Sequence, residues 1–368
     1  MKKSTDEELS KRFYILNTCV GIILLAAIFI SINQFGAQAW QGKKQIALIL
    51  PGERSMLGWN HTQYVEMKSL TEEKGYDLVI RENISNNYDE CLKIAEELSQ
   101  RGVSQIFFTN GCRLENIKEF EKRYPKIGFY TIETMSLLSP SGKYSVYIME
   151  VSYLSGILAG MRTQTGKIGY IAPFPNAEIC QEINAFTLGV KRMKPEAEVL
   201  VSWTGNWSNA QNEEQAVQRM KAEKVDVLSY HQNGMTVART AENLGIKFIS
   251  SNEEYPEYKN YLAAVKINWA AIYGEIIRMN NLKASYKNYG IGISNNKANL
   301  KKSAQITKRE RVMLDLATWE IKKGRLIFSG ELYDKDGNKI SETNETINLK
   351  YIQEKMNWLI KGVRVLGN

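Results

Sequence analysis

The chain has 368 residues, of which 43% are hydrophobic, so it is long enough to bury a substantial core in one to three domains. Its net charge of +8 comes from scattered lysines without a long arginine-rich run, which argues against nucleic-acid binding and favours a mildly basic face near an anionic membrane. Two histidines and four cysteines without a CxxC pair argue against a zinc site, although one Cys112–Cys180 bridge stays open.

The first predicted element is an apolar segment near the N-terminus. Residues 13–42 carry no charge, contain VGIILLAAIFISI and follow Lys11 and Arg12. A run of about 20 apolar residues crosses a bilayer as a helix, and basic residues before it keep that side in the cytoplasm. The sequence therefore predicts a cytoplasmic tail at 1–12, a single-pass signal anchor at 13–36 and an extracytoplasmic remainder.

Two other fates of this segment stay open. AQAW offers a small-residue cleavage site after Ala39, which would release a mature chain that begins at Trp40. A lipoprotein fits less well, because Leu16 stands at the right spacing before Cys19 but the apolar run follows that cysteine instead of preceding it.

After Lys44, short β-like runs alternate with amphipathic helical stretches. The β-like runs are QIALILP, YDLVIRE, SQIFFTN, KIGFYTIE, KIGYIAPF, EVLVSWTG, VDVLSYHQ and KFISSN. In YDECLKIAEELSQRG, the apolar residues recur at the spacing of one helix face, which gives Cys91, Ile94, Ala95 and Leu98. This alternation predicts an α/β fold in which parallel sheets are covered by helices on both faces.

The number of strand–helix units exceeds what one doubly wound sheet holds. The mostly helical segment YSVYIMEVSYLSGILAGMRTQTG lies midway and is interpreted as a crossover between two similar lobes. The first lobe is expected at about 44–147 and 253–285, and the second at about 148–252 and 286–368.

Past Asn281 the pattern changes. YKNYGIGISNNKANLKKSAQITK is polar and predicts loops and turns, and KRERVMLDLATWEIKKG predicts a helix that ends at Gly324. RLIFSGELYDKDGNKI predicts two strands around a turn at Asp336-Gly337, and NLKYIQEKMNWLIKGV predicts a closing helix.

Ligands of open parallel sheets bind beyond the carboxyl ends of the strands. In this sequence the loops at those positions are rich in aromatic and amide side chains, which stack on flat molecules and hydrogen-bond their edges. A flat heterocycle or a sugar suits such a set. The candidate ligand-binding residues are Trp59, Asn60, Asn110, Glu133, Phe174, Trp203, Trp207, Asn233, Asn252 and Glu254.

Several of these residues also have structural interpretations. A tryptophan at a strand end often packs within its lobe, which suits Trp203, whereas Trp207 lies further into its loop and is the better ligand contact. Glu133 and Glu254 can instead cap helices, and His61 can be a surface residue. The motifs GxSxG, GxxxxGKS, HExxH and GxGxxG are missing, so neither an enzyme nor a bound cofactor or metal is expected.

The stretch YLSGILAGMRTQTGKIGYIAPFPNAEICQEINAFTLGVKRMKPEAEVLVSWTGNWSN resembles the basic-membrane-protein family of ABC-transporter substrate-binding lipoproteins. This family includes purine-nucleoside receptors and an adenine-binding branch. GWN at 58–60, KKGRLIFSGELYDKDGNKI and MNWLIKGV resemble further family motifs, so the resemblance covers nearly everything after Lys44. It implies a type I periplasmic-binding fold of two lobes around a hinge, with a purine base sandwiched between Trp59 and Trp207.

Departures from the family narrow what the resemblance implies. Met56 stands where the nucleoside receptors carry an acidic residue, and their aspartate-rich loop is SSNEE here. Lys266 is the candidate for a lysine that those receptors aim at the ribose. The GWN, FP, NAFTLG and SWTGNW motifs resemble the adenine-binding branch more closely, so a free purine base is expected first and a nucleoside second. The lipobox usual in the family is missing.

The resemblance implies a membrane-tethered, extracytoplasmic receptor that delivers a small purine ligand to ABC permease subunits, with no nucleic acid as a partner. The alternative is a membrane-anchored sensor or regulatory protein that uses the same binding fold without transport. The charged tail KKSTDEELSKR is too short for a DNA-binding or kinase domain, so such a sensor would signal through a partner.

Overall fold

The computed structural model describes residues 20, 22–26, 43–132, 143–146, 148–281 and 289–367. The chain divides into two units, Met1–Lys44 and Gln45–Asn368. In the first unit residues 22–26 are helical, and most of the expected anchor at 13–36 lies outside the described residues. Within the described part of the chain, no helix combines the length and apolar character needed to span a bilayer.

Fifteen strands are present in the described residues of the second unit. They are β1 (Gln45–Ile49), β2 (Asp77–Arg81), β3 (Gln105–Phe108), β4 (Gly128–Ile132), β5 (Lys143–Val146), β6 (Lys167–Ala172), β7 (Glu198–Trp203), β8 (Val227–Tyr230), β9 (Lys247–Ser251), β10 (Tyr261–Ile267), β11 (Tyr289–Ile291), β12 (Ala298–Lys302), β13 (Leu332–Tyr333), β14 (Lys339–Ser341) and β15 (Val363–Val365).

Ten helices of this unit alternate with the strands. They are α1 (Trp59–Lys74), α2 (Tyr88–Gln100), α3 (Leu114–Arg123), α4 (Ile148–Arg162), α5 (Ala177–Met193), α6 (Ala210–Ala222), α7 (Thr236–Asn243), α8 (Trp269–Asn281), α9 (Lys308–Lys322) and α10 (Leu349–Lys355). The strand–helix alternation predicted from the sequence is therefore confirmed.

The first sheet has six strands in the order β11-β5-β4-β3-β1-β2, and every neighbouring pair is parallel. Alternate residues of β1 face two different cores. Ile46 and Leu48 pack with residues of α1 and α8, whereas Ala47 and Ile49 pack with residues of α2 and α3. Burial on both faces is what a parallel sheet between two helical layers requires.

The second sheet has seven strands in the order β12-β10-β9-β8-β6-β7-β15, and only the β10–β12 pair is antiparallel. Its strands are also buried on both faces. Val199 and Val201 of β7 pack into one core and Leu200 into the other. The two sheets with their helices are called the first lobe and the second lobe below.

Helices α4 and α5 lie backbone to backbone in the second lobe, because glycines stand at their contact. A Cβ on Gly156 would lie 1.9 Å from the Phe186 carbonyl oxygen, and a Cβ on Gly189 would lie 2.1 Å from the Tyr153 carbonyl oxygen. No side chain larger than hydrogen fits at either position. This close packing fixes α5, whose first turns reach the edge of the sheet.

The chain passes between the lobes three times: between β5 and α4, between β10 and α8, and between β11 and β12. These boundaries differ from the expected ones, because β10 belongs to the second sheet although residues 253–285 were assigned to the first lobe. β11 was expected in the second lobe but belongs to the first sheet. Asn268 N donates to the Lys297 carbonyl oxygen at 2.8 Å, which joins two of the crossing segments.

The C-terminal region follows the predictions in part. The helix that ends before Gly324 and the hairpin around Asp336-Gly337 are present as α9 and the β13–β14 pair. The predicted loop after Asn281 instead contains β11 and β12, which pair with β5 and β10. The closing helix stops at Lys355, and β15 adds a strand beside β7.

Candidate functional site

A cavity of ≈ 500 Å³ lies between the two lobes, beyond the carboxyl ends of several strands. Both lobes contribute to its wall, as expected for a ligand site of an open parallel sheet. Six of the residues predicted from the sequence line it: Trp59, Asn60, Asn110, Trp207, Asn233 and Asn252.

On the first-lobe wall, Trp59 is the first residue of α1 and is held on two sides. Its indole Nε1 donates to the Thr109 carbonyl oxygen at 3.1 Å, and its ring meets Trp269 edge-on with centroids 5.4 Å apart. Asn60 is buried, and its Oδ1 has no hydrogen-bond partner within the described residues. This wall therefore combines a fixed aromatic plate with an amide oxygen that a ligand can use.

Asn110 lines the same wall, but its side chain is used by the fold. Its Nδ2 donates to the Ser85 carbonyl oxygen at 2.7 Å, and its Oδ1 accepts from Cys112 N at 3.3 Å. These bonds fix the turn after β3, so Asn110 shapes the cavity more than it offers free hydrogen-bonding groups.

On the second-lobe wall, Trp207 lies in a loop that backbone hydrogen bonds hold in place. Gly205 N donates to the Pro173 carbonyl oxygen at 2.7 Å, and Asn233 N donates to the Trp207 carbonyl oxygen at 2.9 Å. The Trp207 ring meets Phe174 and His231 edge-on, with centroids 5.3 Å and 5.5 Å away. The second aromatic plate is therefore supported from two sides.

Next to Trp207, the second-lobe wall carries charged groups. Glu178 and Glu182 stand four residues apart on α5 and both line the cavity, together with His231 and Tyr170. Glu182 Oε2 lies 2.9 Å from His231 Nδ1 and accepts from the Tyr170 hydroxyl at 3.4 Å. Burial lowers the pKa of His231, but the charge and hydrogen bond of Glu182 outweigh it and raise the pKa above the usual 6.5.

Burial, with the neighbouring charge of Glu182, raises the pKa of Tyr170 well above its usual range. The phenol therefore stays protonated at neutral pH and donates to the carboxylate. The candidate residues drawn from the sequence did not include Glu182, His231 or Tyr170. The spacing of Glu178 and Glu182 by four residues was a signal available in the sequence, because it puts two carboxylates on one helix face.

The two lobes also contact each other directly, at the start of α1. Gly58 N donates to Glu253 Oε1 at 3.1 Å, and Trp59 N donates to Asn233 Oδ1 at 3.1 Å. Gly234 N of the second lobe donates to the Leu57 carbonyl oxygen at 2.9 Å. The free N–H groups at the start of a helix need acceptors, and here the opposite lobe supplies them.

The fold and the inter-lobe cavity agree with a match to a known family. Residues 43–299 match the model of the family described as ABC transporter substrate-binding protein PnrA-like, and this match covers well over half of the chain. The chain belongs to this family. It is therefore a solute-binding protein of the ABC-transporter type and not an enzyme.

Two relatives of this PnrA-like chain have names that state a ligand. A purine-binding protein of Brucella abortus (strain 2308) is 24% identical over 242 residues, which cover 65% of this chain and 69% of that protein. A Haloferax volcanii protein described as an ABC transporter glucose-binding protein is 26% identical over 226 residues, which cover 59% of this chain and 56% of that protein.

Among solved structures, an ABC transporter solute-binding protein from Conexibacter woesei DSM 14684 has a similar fold. Its TM-score is 0.67 at 15% sequence identity, and the match covers 76% of this chain and 97% of that one. This likeness confirms the predicted periplasmic-binding type of α/β fold.

Four residues predicted for the site of this PnrA-like chain do not line the cavity. Phe174 meets the Trp207 ring edge-on, and Trp203 is half-buried against the second-lobe core. Lys266 donates its ammonium to the Asn252 carbonyl oxygen at 2.6 Å, and Glu254 lies off the cavity wall. Glu133 lies outside the described residues.

The cysteines of the described residues are free thiols. Cys112 belongs to a core of the first lobe and Cys180 to a core of the second, so the open possibility of a bridge between them does not fit the fold. Cys112 instead contacts Cys91 in the first-lobe core. Within the described part of the chain, no group of three or more His, Cys, Asp or Glu side chains is arranged to hold a metal ion.

Proposed function

We propose that this solute-binding protein binds a purine. An adenine-like free base is the first choice of ligand, and a purine nucleoside is the second. The observation that carries the proposal is that Trp59 and Trp207 line one cavity from opposite lobes. Each stack of a base on an aromatic side chain contributes about 1–3 kcal/mol. A flat ring between two such plates gains from both of them.

The size and chemistry of the cavity support a small uncharged heterocycle. Its volume of ≈ 500 Å³ is within the usual range of small-molecule sites. Among the described residues that line it, Glu178 and Glu182 are acidic and none is a lysine or an arginine. A phosphate group would lie next to two carboxylates with no lysine or arginine to pair with, so a base or a nucleoside suits the cavity better than a nucleotide.

The name of the Brucella abortus relative gives independent support, because that protein is described as purine-binding. The Haloferax volcanii relative is described as glucose-binding, and carboxylates also accept hydrogen bonds from sugar hydroxyls. A sugar is therefore the alternative that the ligand test has to include.

The ligand test is calorimetry of the full chain in detergent with adenine, guanine, hypoxanthine, adenosine and glucose. We expect a free purine base to bind most tightly and adenosine next, with glucose weaker than both. Tight glucose binding without purine binding would overturn the proposal. Native mass spectrometry of the freshly purified chain adds a check, because a ligand carried from the cell keeps its own mass.

We also propose that the N-terminal segment 13–36 anchors the chain in the membrane, with residues 1–12 in the cytoplasm and the binding unit outside. The uncharged run after Lys11 and Arg12 motivates this topology. N-terminal sequencing of the protein from membranes tests it. A mature chain that begins at Trp40 would show cleavage instead of anchoring.

The partner of the closed, ligand-bound form is an ABC permease in this proposal. Uptake of labelled adenine by cells with and without the chain tests the transport role. We expect uptake at low adenine concentration to fall when the chain is deleted and to return with the wild-type gene. Unchanged uptake, with ligand binding intact, would leave a sensor role instead.

A further inference from the structure

Glu182 has one carboxylate oxygen in use and one without a partner. The side chain is 4% exposed, and its Oε2 is held by His231 and Tyr170. Its Oε1 has no hydrogen-bond partner within the described residues. A buried carboxylate oxygen without a donor is costly, so such groups in folded proteins are nearly always satisfied.

The fold leaves Glu182 little freedom to find another donor. α5 is locked against α4 by Gly156 and Gly189, and the pair with His231 fixes the end of the side chain. Glu182 lines the cavity, so the space next to it is where a ligand would lie. A molecule bound in the cavity is therefore placed to supply the donor that the protein does not.

The surroundings of Glu182 favour an accepting role. His231 Nδ1 lies 2.9 Å from Oε2; burial lowers the His231 pKa, but the charge and hydrogen bond of Glu182 outweigh burial and raise it. The other titratable groups that face this pair are Glu178, on the same helix, and Tyr170, on β6, whose hydroxyl donates to Oε2. When His231 is protonated, its imidazolium compensates the negative charge of Glu182 and leaves Oε1 available.

Glu182 also lies close to the second aromatic plate. The Trp207 and His231 rings are 5.5 Å apart, and His231 is in direct contact with Glu182. A ring that lies against Trp207 can therefore direct one edge towards Oε1. The plate and the acceptor together define a site for a flat molecule that carries a donor on its edge.

We propose that Glu182 Oε1 accepts an N–H from the edge of the bound ring and so makes Glu182 a specificity-determining residue. This inference rests on the proposed function, and it defines the ligand class more narrowly: a neutral or cationic nitrogen heterocycle with an N–H donor directed at the second lobe. Rings without that donor leave Oε1 unsatisfied and are rejected, as binding sites reject analogues that strand a buried polar group.

The test asks whether the loss of affinity caused by removing an N–H donor from the ligand depends on Glu182. Binding of adenine, 6-dimethylaminopurine and 9-methyladenine is measured by calorimetry to the full wild-type chain and to Glu182→Gln. The first analogue lacks the exocyclic N–H donors and the second lacks the ring N–H donor. We expect wild-type protein to bind one of the analogues about ten- to a hundredfold more weakly than adenine, and that preference to shrink at least tenfold in Glu182→Gln.

We expect the steric cost of the added methyl groups to be the same in wild type and Glu182→Gln. A change in the preference for adenine therefore measures the hydrogen bond to Glu182. Glu178→Gln is the matched control, because it removes the same charge from the same face of α5. We expect it to change the affinity for all three bases together and to keep the preference for adenine. Equal preferences in wild type and Glu182→Gln for both analogues would overturn the inference.

A second probe separates this inference from the purine proposal. Benzamidine carries a flat ring and an amidinium edge rich in N–H donors, and it is not a purine. We expect it to bind the wild-type chain at least tenfold more tightly than Glu182→Gln. If purines fail to bind but benzamidine depends on Glu182, the purine proposal is wrong and the inference stands. If benzamidine binds wild type and Glu182→Gln equally well and no purine binds, the purine proposal and the inference about Glu182 are both wrong.

Discussion

The first-lobe wall of the cavity is fixed by neutral hydrogen bonds, whereas the second-lobe wall carries ionisable groups. On the first wall, the Trp59 indole and the Asn110 amide bond to backbone carbonyl oxygens of their own lobe. On the second wall, the buried Glu182 pairs with the half-buried His231 beside Trp207. Both walls offer an aromatic plate, but among the described residues only the second wall combines its plate with a charged acceptor.

This difference separates two tasks that a binding cleft must perform. The first wall supplies a rigid surface, and the helix behind it needs acceptors that Asn233 and Glu253 of the other lobe provide. The second wall supplies the group that reads the ligand edge. Closure and recognition therefore depend on different residues, and variants can change one without the other.

The largest expected effect comes from Gly58→Ala, which blocks closure at the first wall. Gly58 has φ +98°, and an added Cβ would lie 2.9 Å from Asn233 Cα in the other lobe. Backbone strain of about 1–2 kcal/mol and the clash together should weaken ligand binding about a hundredfold or more in calorimetry. Gly75→Ala is the control, because Gly75 has φ +72° but open space around its Cβ. It should lower thermal stability and leave affinity unchanged.

The second prediction tests whether the two plates contribute equally. Trp59→Ala and Trp207→Ala should each weaken purine binding by about 1–3 kcal/mol, about ten- to a hundredfold, and Trp207→Phe should cost less than Trp207→Ala. Trp319→Ala serves as the control, because Trp319 is 56% exposed on α9 and does not line the cavity. Unchanged affinity in Trp207→Ala would assign that residue to packing.

Trp203 tests whether a residue that supports the Trp207 loop contributes to stability without contributing to ligand binding. It is half-buried against the second-lobe core and does not line the cavity. Trp203→Ala should lower the free energy of unfolding by about 2 kcal/mol, which is below the loss for a fully buried tryptophan. Denaturant unfolding measures this, and calorimetry should give an affinity within about twofold of wild type. A tenfold loss of affinity without loss of stability would contradict this assignment.

Closure can be weakened more gently through Glu253→Gln. Glu253 Oε1 accepts from Gly58 N and lies 3.3 Å from His61 Nδ1, so the amide keeps an acceptor but loses the charge. We expect about a threefold loss of affinity, mainly through faster ligand release in stopped-flow experiments. The exposed Glu257→Gln, four residues away, should release ligand at the wild-type rate.

The smallest effect is the pH dependence of the second wall. The His231 pKa is raised in the folded protein, so the pair with Glu182 stabilises fully below about pH 6.5, and this contribution is lost as pH rises through the raised pKa. Unfolding free energies measured from pH 5.5 to 8.5 should show this fall. His231→Gln should remove it and His61→Gln should keep it; the reverse result would assign the titration to the first lobe.

The sequence predicted most of the fold because its signals are local. The face formed by Cys91, Ile94, Ala95 and Leu98 is buried as its spacing indicates, and the hairpin forms at the predicted Asp336-Gly337 turn. β5, β10, β11, β12 and β15 were missed. They are short or uninterrupted apolar runs and edge strands, whose pairing partners lie far away in the sequence and leave no periodic pattern.

For the site, the sequence by itself determined which residues follow the strand ends, because parallel strands bring those ends to one edge of a sheet. That rule found Trp59, Trp207 and the amide residues Asn60, Asn110, Asn233 and Asn252 at the cavity. The resemblance to the family selected Lys266, which the fold instead uses to hold the Asn252 backbone. Position in the sequence gives the loop but not the direction of the side chain.

Only the tertiary structure decided how the two lobes meet and which side chains the cleft contains. The bonds that join the start of α1 to Asn233 and Glu253 span 174 and 195 residues, a separation that no local pattern encodes. Glu182 reaches the cavity because Gly156 and Gly189 let two helices touch at the backbone. Contacts of this kind depend on the packed shape of both lobes, so they exist only once the chain has folded.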